Sequence, residues 1–188
     1  MKTLYIRYLF LLLFVFLFTA CSNRSSDENN LNNPDNNDTT IKSANFLDSA
    51  VIGIKYTCSN SSTEGFTNEN GTFDYDENCG TITFKIGGVS VYSKAVANIP
   101  ADKQLYITDL VGVDRTDTNN SKVLDIARFL QSLDDDNNPY NGINITPAVS
   151  NELSDSTIDF ANNPSIADLN STITNLGRVL VDEDDAQV

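Results

Sequence analysis

The chain contains no histidine and no tryptophan. Without histidine it lacks the side chain that titrates near neutrality, the base of a nucleophilic triad and the commonest zinc ligand. Hydrolysis by carboxylates stays open, although a chain with 26 Asp and Glu brings acids together by chance. Cations are scarce: 12 Lys and Arg leave a net charge of −14. Nucleic acid demands a basic face, so it is not expected as a partner. The same charge suits divalent cations and strains the compact state by self-repulsion. Cysteine is limited to Cys21, Cys58 and Cys79. Long apolar runs are absent except at the N-terminus.

That exception follows a basic start, Lys2 and Arg7, and runs from Leu9 to Ala20. A mature membrane-spanning helix needs about 20 apolar residues. This run is nearer a signal-peptide core, and no basic stop-transfer cluster follows it. Thr19-Ala20-Cys21 resembles the bacterial lipobox, in which small residues precede an invariant cysteine. Phe18 stands where that family usually carries Leu, with Leu17 one place earlier. The resemblance implies that residues 1–20 are a signal peptide and that Cys21 is the acylated first residue of the mature chain. Several acyl chains anchor far better than one. Ser22, rather than Asp, implies sorting to the outer membrane. The alternatives are an ordinary secretory signal with an incidental cysteine, or an uncleaved anchor. Cleavage leaves 10 basic against 26 acidic side chains, a net charge of −16.

Residues 21–45 are rich in Ser, Asn and Asp and hold almost nothing apolar, so they are expected to form a disordered tether. A coil of that length spans on the order of 25 Å. Order is expected from about Phe46. Ala50 to Cys58 reads as one strand, rich in β-branched and aromatic residues. Asn70-Gly71 marks a tight turn, because both residues tolerate positive φ. Phe73 and Tyr75 alternate with polar neighbours, as do Ile82, Phe84 and Ile86; Gly87-Gly88 then turns the chain into Val89 to Tyr92. Gln104 to Val111 supplies one more apolar run. Four or five short strands over 46–118 fit a small antiparallel sandwich. In an oxidising compartment Cys58 and Cys79 read as a disulfide, worth about 3 kcal/mol for a loop of about 20 residues.

Two stretches carry a further resemblance. Gly53-x-x-Tyr56 with Gly65-x-Thr67-x-x-x-Gly71-x-Phe73-x-Tyr75 is similar to carboxypeptidase-regulatory-like, transthyretin-like sandwiches of bacterial surface proteins, with Asn68 in place of their Asp. Ile126 to Asp136, followed by Pro139-x-Asn141-Gly142-Ile143, resembles the segment that follows this sandwich in cell-surface lipoproteins and adhesin-like proteins of unassigned activity. The resemblance covers residues 46–188. It implies a surface module, often placed N-terminal to other domains, so a partner domain beyond Val188 is an expectation.

Residues 119–188 read as helical. Ser121 can cap a helix over 121–133, with Val123, Ile126, Ala127, Phe129, Leu130 and Leu133 on one stripe. Asp134, Asp136 and Asn138 then take the 1, 3, 5 spacing of a calcium loop. Pro139 occupies the glycine position and Ile145 the twelfth, so the full EF-hand pattern is not met. Three acids at a helix C-terminus oppose its dipole, and a bound cation would relieve them; a solvated acidic turn is the other reading. Pro147 opens a further helix, and 164–169 and 172–180 look helical. Asn37, Asn119 and Asn170 stand in an extended glycosylation context that also arises by chance here. The expected whole is an α+β, lipid-anchored envelope protein without catalysis: a spacer or adhesion module with a protein or glycan partner. The alternatives are a calcium-binding structural domain or a carboxylate hydrolase.

Overall fold

The computed structural model describes residues 40–186. Cys21, Asn37, the signal segment and most of the expected tether lie outside them. The elements run β1 (Ile41–Leu47), β2 (Val51–Ile52), β3 (Lys55–Cys58), β4 (Glu64–Phe66), β5 (Thr72–Asp76), β6 (Thr81–Ile86), β7 (Val89–Ala95), β8 (Gln104–Tyr106), α1 (Ile107–Val111), α2 (Ser121–Ser132), β9 (Ile143–Asn144), α3 (Pro147–Glu152) and α4 (Ile166–Asn175). The class is α+β with a sandwich-like core. Among the described residues no helix is long and apolar enough to cross a membrane.

Three sheets form, ordered β5-β1-β8, β4-β3-β6-β7 and β2-β9. Strand alternation builds the core. Phe73 and Tyr75 of β5 turn inward, as do Ile82, Phe84 and Ile86 of β6 and Val89 and Val91 of β7. Phe46 and Phe73 from the three-stranded sheet meet Phe84 from the four-stranded sheet, with ring centres 4.8 and 5.1 Å apart. Each buried ring contributes roughly 2–3 kcal/mol of transfer free energy. The stripe of α2 is buried as its spacing requires, and Phe129 packs on Phe160 at 5.3 Å.

The strand count and pairing differ from expectation in four places. First, β1 covers Ile41 to Asn45, which belong to the expected tether. Ala44 and Phe46 face the core while Lys42 and Ser43 face out, and β1 is the central strand between β5 and β8. Central pairing satisfies its backbone, so a strand with few apolar residues is stable there.

Second, the run from Ala50 to Cys58 is not one strand. It breaks at Gly53, whose φ is +76°, and a Cβ there would stand 2.2 Å from the Ile145 carbonyl oxygen. The break sends β2 to β9 and β3 to the larger sheet. Third, only 104–106 of the Gln104–Val111 run is strand, and α1 follows. Asp109 accepts from the Tyr106 N–H at 3.0 Å, which starts a helical turn inside an apolar run. Fourth, the sheets are not purely antiparallel, because β1/β8 and β2/β9 pair in parallel.

The turn at Asn70-Gly71 is present, but it links β4 to β5 in different sheets. Asn68 Oδ1 accepts from the N–H groups of Asn70 and Thr72, and Gly71 has φ +70° with Phe46 O close behind it. The Cys58–Cys79 disulfide joins the end of β3 to the loop before β6, with Cα atoms 5.3 Å apart. In the C-terminal part, Asn120 rather than Ser121 caps α2, accepting from the Lys122 N–H at 3.2 Å. The two expected helices at 164–169 and 172–180 are one helix, α4, followed by a turn at Leu176-Gly177 and then by residues without regular secondary structure.

Candidate functional site

The acidic loop follows directly from the end of α2. Asp134 is almost fully buried, and both of its oxygens are used: Oδ1 accepts from the Asn144 N–H at 2.9 Å and Oδ2 from the Asn138 N–H at 2.8 Å. Asp136 Oδ1 accepts from the same Asn138 N–H at 3.0 Å, and its Oδ2 accepts from Asn141 Nδ2 at 2.8 Å. The structure therefore brings Asp134 and Asp136 together at Asn138, and it is the backbone of Asn138 that meets both. Burial pushes the Asp134 carboxyl up, and the neighbouring Asp136 adds to that rise. The amide of Asn141 holds Asp136 below the usual carboxylate range.

These acids line a cleft of about 400 Å³ with Ile52, Glu69, Asp135, Asn141, Gly142 and Asn144. Glu69 comes from the β4–β5 turn, far away in sequence. Among the described residues no group of three or more His, Cys, Asp or Glu side chains is arranged to hold a metal ion.

The repulsion expected at the C-terminus of α2 has a local answer. Arg178 Nη1 donates to the carbonyls of Ser132 (3.2 Å) and Asp134 (2.7 Å). A guanidinium on the last carbonyls of a helix opposes the same dipole that the acids aggravate. The segment carrying Arg178 is pinned twice more: Arg128 Nε donates to Val181 O at 2.6 Å, and the Val181 N–H donates to Ser132 Oγ at 2.8 Å. Arg178 is the only Lys or Arg after Arg128, a signal visible in the sequence but without a visible partner.

A second cleft, of about 460 Å³, opens beside that segment between Tyr140 and Val179. A third, of about 300 Å³, is lined by Leu47, Asp48, Tyr106, Ile107, Thr108, Arg115 and Thr118. Arg115 lies over the Tyr106 ring at 4.7 Å and binds Asp102 at 2.6 Å and Asp109 at 2.9 Å.

Asp48 sits in the turn from β1 to β2. Its Oδ2 accepts from Gln131 Nε2 at 2.8 Å, while its Oδ1 is shut away from solvent with no hydrogen-bond partner. Burial pushes its carboxyl up to about 7. A perturbed acid beside a cleft is the physical mark of a candidate site, although structural acids share it. Sequence reasoning passed over Asp48 as one more acid in an acidic chain. Its signal was its place between Phe46-Leu47 and Val51-Ile52, where apolar neighbours imply burial.

Asn119 and Asn170 are both exposed, the first before α2 and the second on α4. Comparison of the chain with known protein families, curated proteins and solved structures finds no match.

Proposed function

We propose that this chain is a lipid-anchored module of the bacterial cell envelope, acylated at Cys21 and held at the outer membrane, that binds a protein or glycan partner without catalysis. The observation that carries the reading is the stretch Phe18-Thr19-Ala20-Cys21 at the end of a basic and then apolar N-terminus. The Cys58–Cys79 disulfide supports it, because such bonds persist outside the reducing cytosol. The absence of histidine from the whole chain supports a binding role over a hydrolytic one. Labelling with radioactive palmitate tests the anchor. Label is expected on the wild-type chain and absent from Cys21→Ser; label that survives the substitution overturns the reading.

A second reading, calcium at the acidic loop, is favoured by one observation: the carboxylates of Asp134 and Asp136 converge on a single N–H, that of Asn138. A cation there would offset their crowded negative charge, and Glu69 lines the same cleft. Calorimetric titration checks it. Heat at millimolar Ca²⁺ that disappears in Asp136→Asn supports this reading, and no heat removes it.

A further inference from the structure

Few large apolar side chains are exposed among the described residues, and two of them share one cleft. Tyr140 is 79% exposed and Val179 is 84% exposed, and both line the opening of about 460 Å³ beside the C-terminal segment. That volume lies in the range of small-ligand sites, about 300–1,000 Å³.

The cleft is held in shape from both sides. On one side Tyr140 rides on a single 3-10 turn, Pro139–Asn141, with Pro139 fixing the backbone and Asn141 Nδ2 tied to Asp136. On the other side Val179 lies between Arg178, which grips two carbonyls at the end of α2, and Val181, which is bonded at both its N–H and its carbonyl. The backbone that carries the exposed ring and valine is fixed on both sides, so little backbone ordering is lost on binding.

The polar lining selects the ligand. Asn137 and Asp182 present acceptor oxygens, and Asp185 adds negative charge. No Lys or Arg is among the residues lining the cleft, and the two that brace its wall, Arg178 and Arg128, direct Nη1 at the carbonyls of Ser132 and Asp134 and Nε at the carbonyl of Val181. Anions are therefore repelled, and a ligand that brings hydrogen-bond donors is favoured. One ring and one valine are too small a platform for a protein partner, which needs about 800 Å² on each side. They match a flat ligand of one ring, with C–H groups on its face and hydroxyls at its edge. We propose that this cleft binds a neutral pyranose unit of a glycan, stacked on Tyr140, with hydroxyls donating to Asp182 and Asn137. The inference rests on the binding-module reading and names its ligand class.

The test uses the full chain in a zwitterionic detergent, since maltoside detergents carry the proposed ligand chemistry. Saturation-transfer NMR is run with cellotetraose, maltotetraose and chitotetraose, and separately with tetralysine. Transfer to ring C–H protons of at least one sugar is expected. Tyr140→Ala should weaken it about tenfold, as loss of an aromatic contact does, whereas Tyr140→Phe should retain it. Asp182→Ala provides an independent second variant and should also weaken binding. Because Tyr140 and Asp182 are both exposed, neither change should lower the melting temperature. No transfer to any sugar, transfer unchanged in Tyr140→Ala, or binding of tetralysine alone overturns the proposal. Palmitate labelling reports on the anchor separately. A lipidated chain that ignores all three sugars sinks this inference and leaves the anchor standing.

Discussion

Between Ile41 and Tyr106 the chain is held mainly by strand ladders and by rings that meet across two sheets. Between Leu133 and Val181 buried apolar side chains such as Ile143, Phe160, Leu169 and Ile173 are joined by side chains that bond to backbone: Asp134 to two N–H groups, Thr146 and Ser165 at helix starts, and Arg178 and Arg128 on carbonyls. The first region buries its cost in area, which grows with every inward residue. The second adds to its burial a set of single contacts, each worth about 1.5–3 kcal/mol where a charge is involved. The acidic cleft and the Tyr140 cleft both lie along the second. Positioned loops with satisfied backbones can expose side chains that a packed sheet would bury.

The largest expected effect lies in the first region. Phe84 is fully buried and touches both Phe46 and Phe73. Phe84→Ala should cost about 4 kcal/mol, by lost transfer energy and the cavity left behind. Urea unfolding followed by circular dichroism measures it. In the second region, Arg178→Met keeps an apolar stem but removes both bonds to the α2 carbonyls. It should cost about 2 kcal/mol and should speed proteolysis within residues 177–182. If Arg178→Met costs as much as Phe84→Ala, the contrast between the regions fails. If it costs nothing, the C-terminal segment is held by the burial of Leu180 rather than by the guanidinium.

The same contrast governs what was legible from sequence. Period-two alternation placed Phe73, Tyr75, Ile82, Phe84 and Ile86 in the core, because burial of a strand face is a local pattern. Helical spacing did the same for α2. Partners distant in sequence left no such trace. Neither the pairing of Ile41–Leu47 between β5 and β8 nor the parallel pairing of β2 with β9 has a local signature. The 1, 3, 5 spacing did bring Asp134 and Asp136 together, but their oxygens meet backbone N–H groups from Asn138 and Asn144, which spacing does not report. Arg178 at the end of α2 and Glu69 in the same cleft as Asp135 are products of the tertiary fold alone.

Asp48 joins the two regions, since it leaves the end of β1 and bonds Gln131 on α2. It is also expected to give the most pH-dependent effect. Its folded carboxyl titrates near 7, against an ordinary value of 3.8. The folded state therefore binds the proton more tightly than the unfolded chain. Between about pH 4 and 7 stability should rise as pH falls, and above 7 the unpaired buried charge should be a constant penalty. Asp48→Asn keeps an acceptor for Gln131 and removes the charge. At pH 8 it should stabilise the fold, by no more than about 4 kcal/mol, and the gain should shrink steadily as pH falls and vanish near pH 4. Melting temperatures of the two proteins at matched ionic strength, taken at half-unit steps from pH 4.5 to 8.5, decide it. Curves that converge toward acid mean that Oδ1 carries a buried charge at neutral pH. Parallel curves mean that the carboxyl stays solvated, and the bond from the sheet to α2 is then an ordinary surface contact.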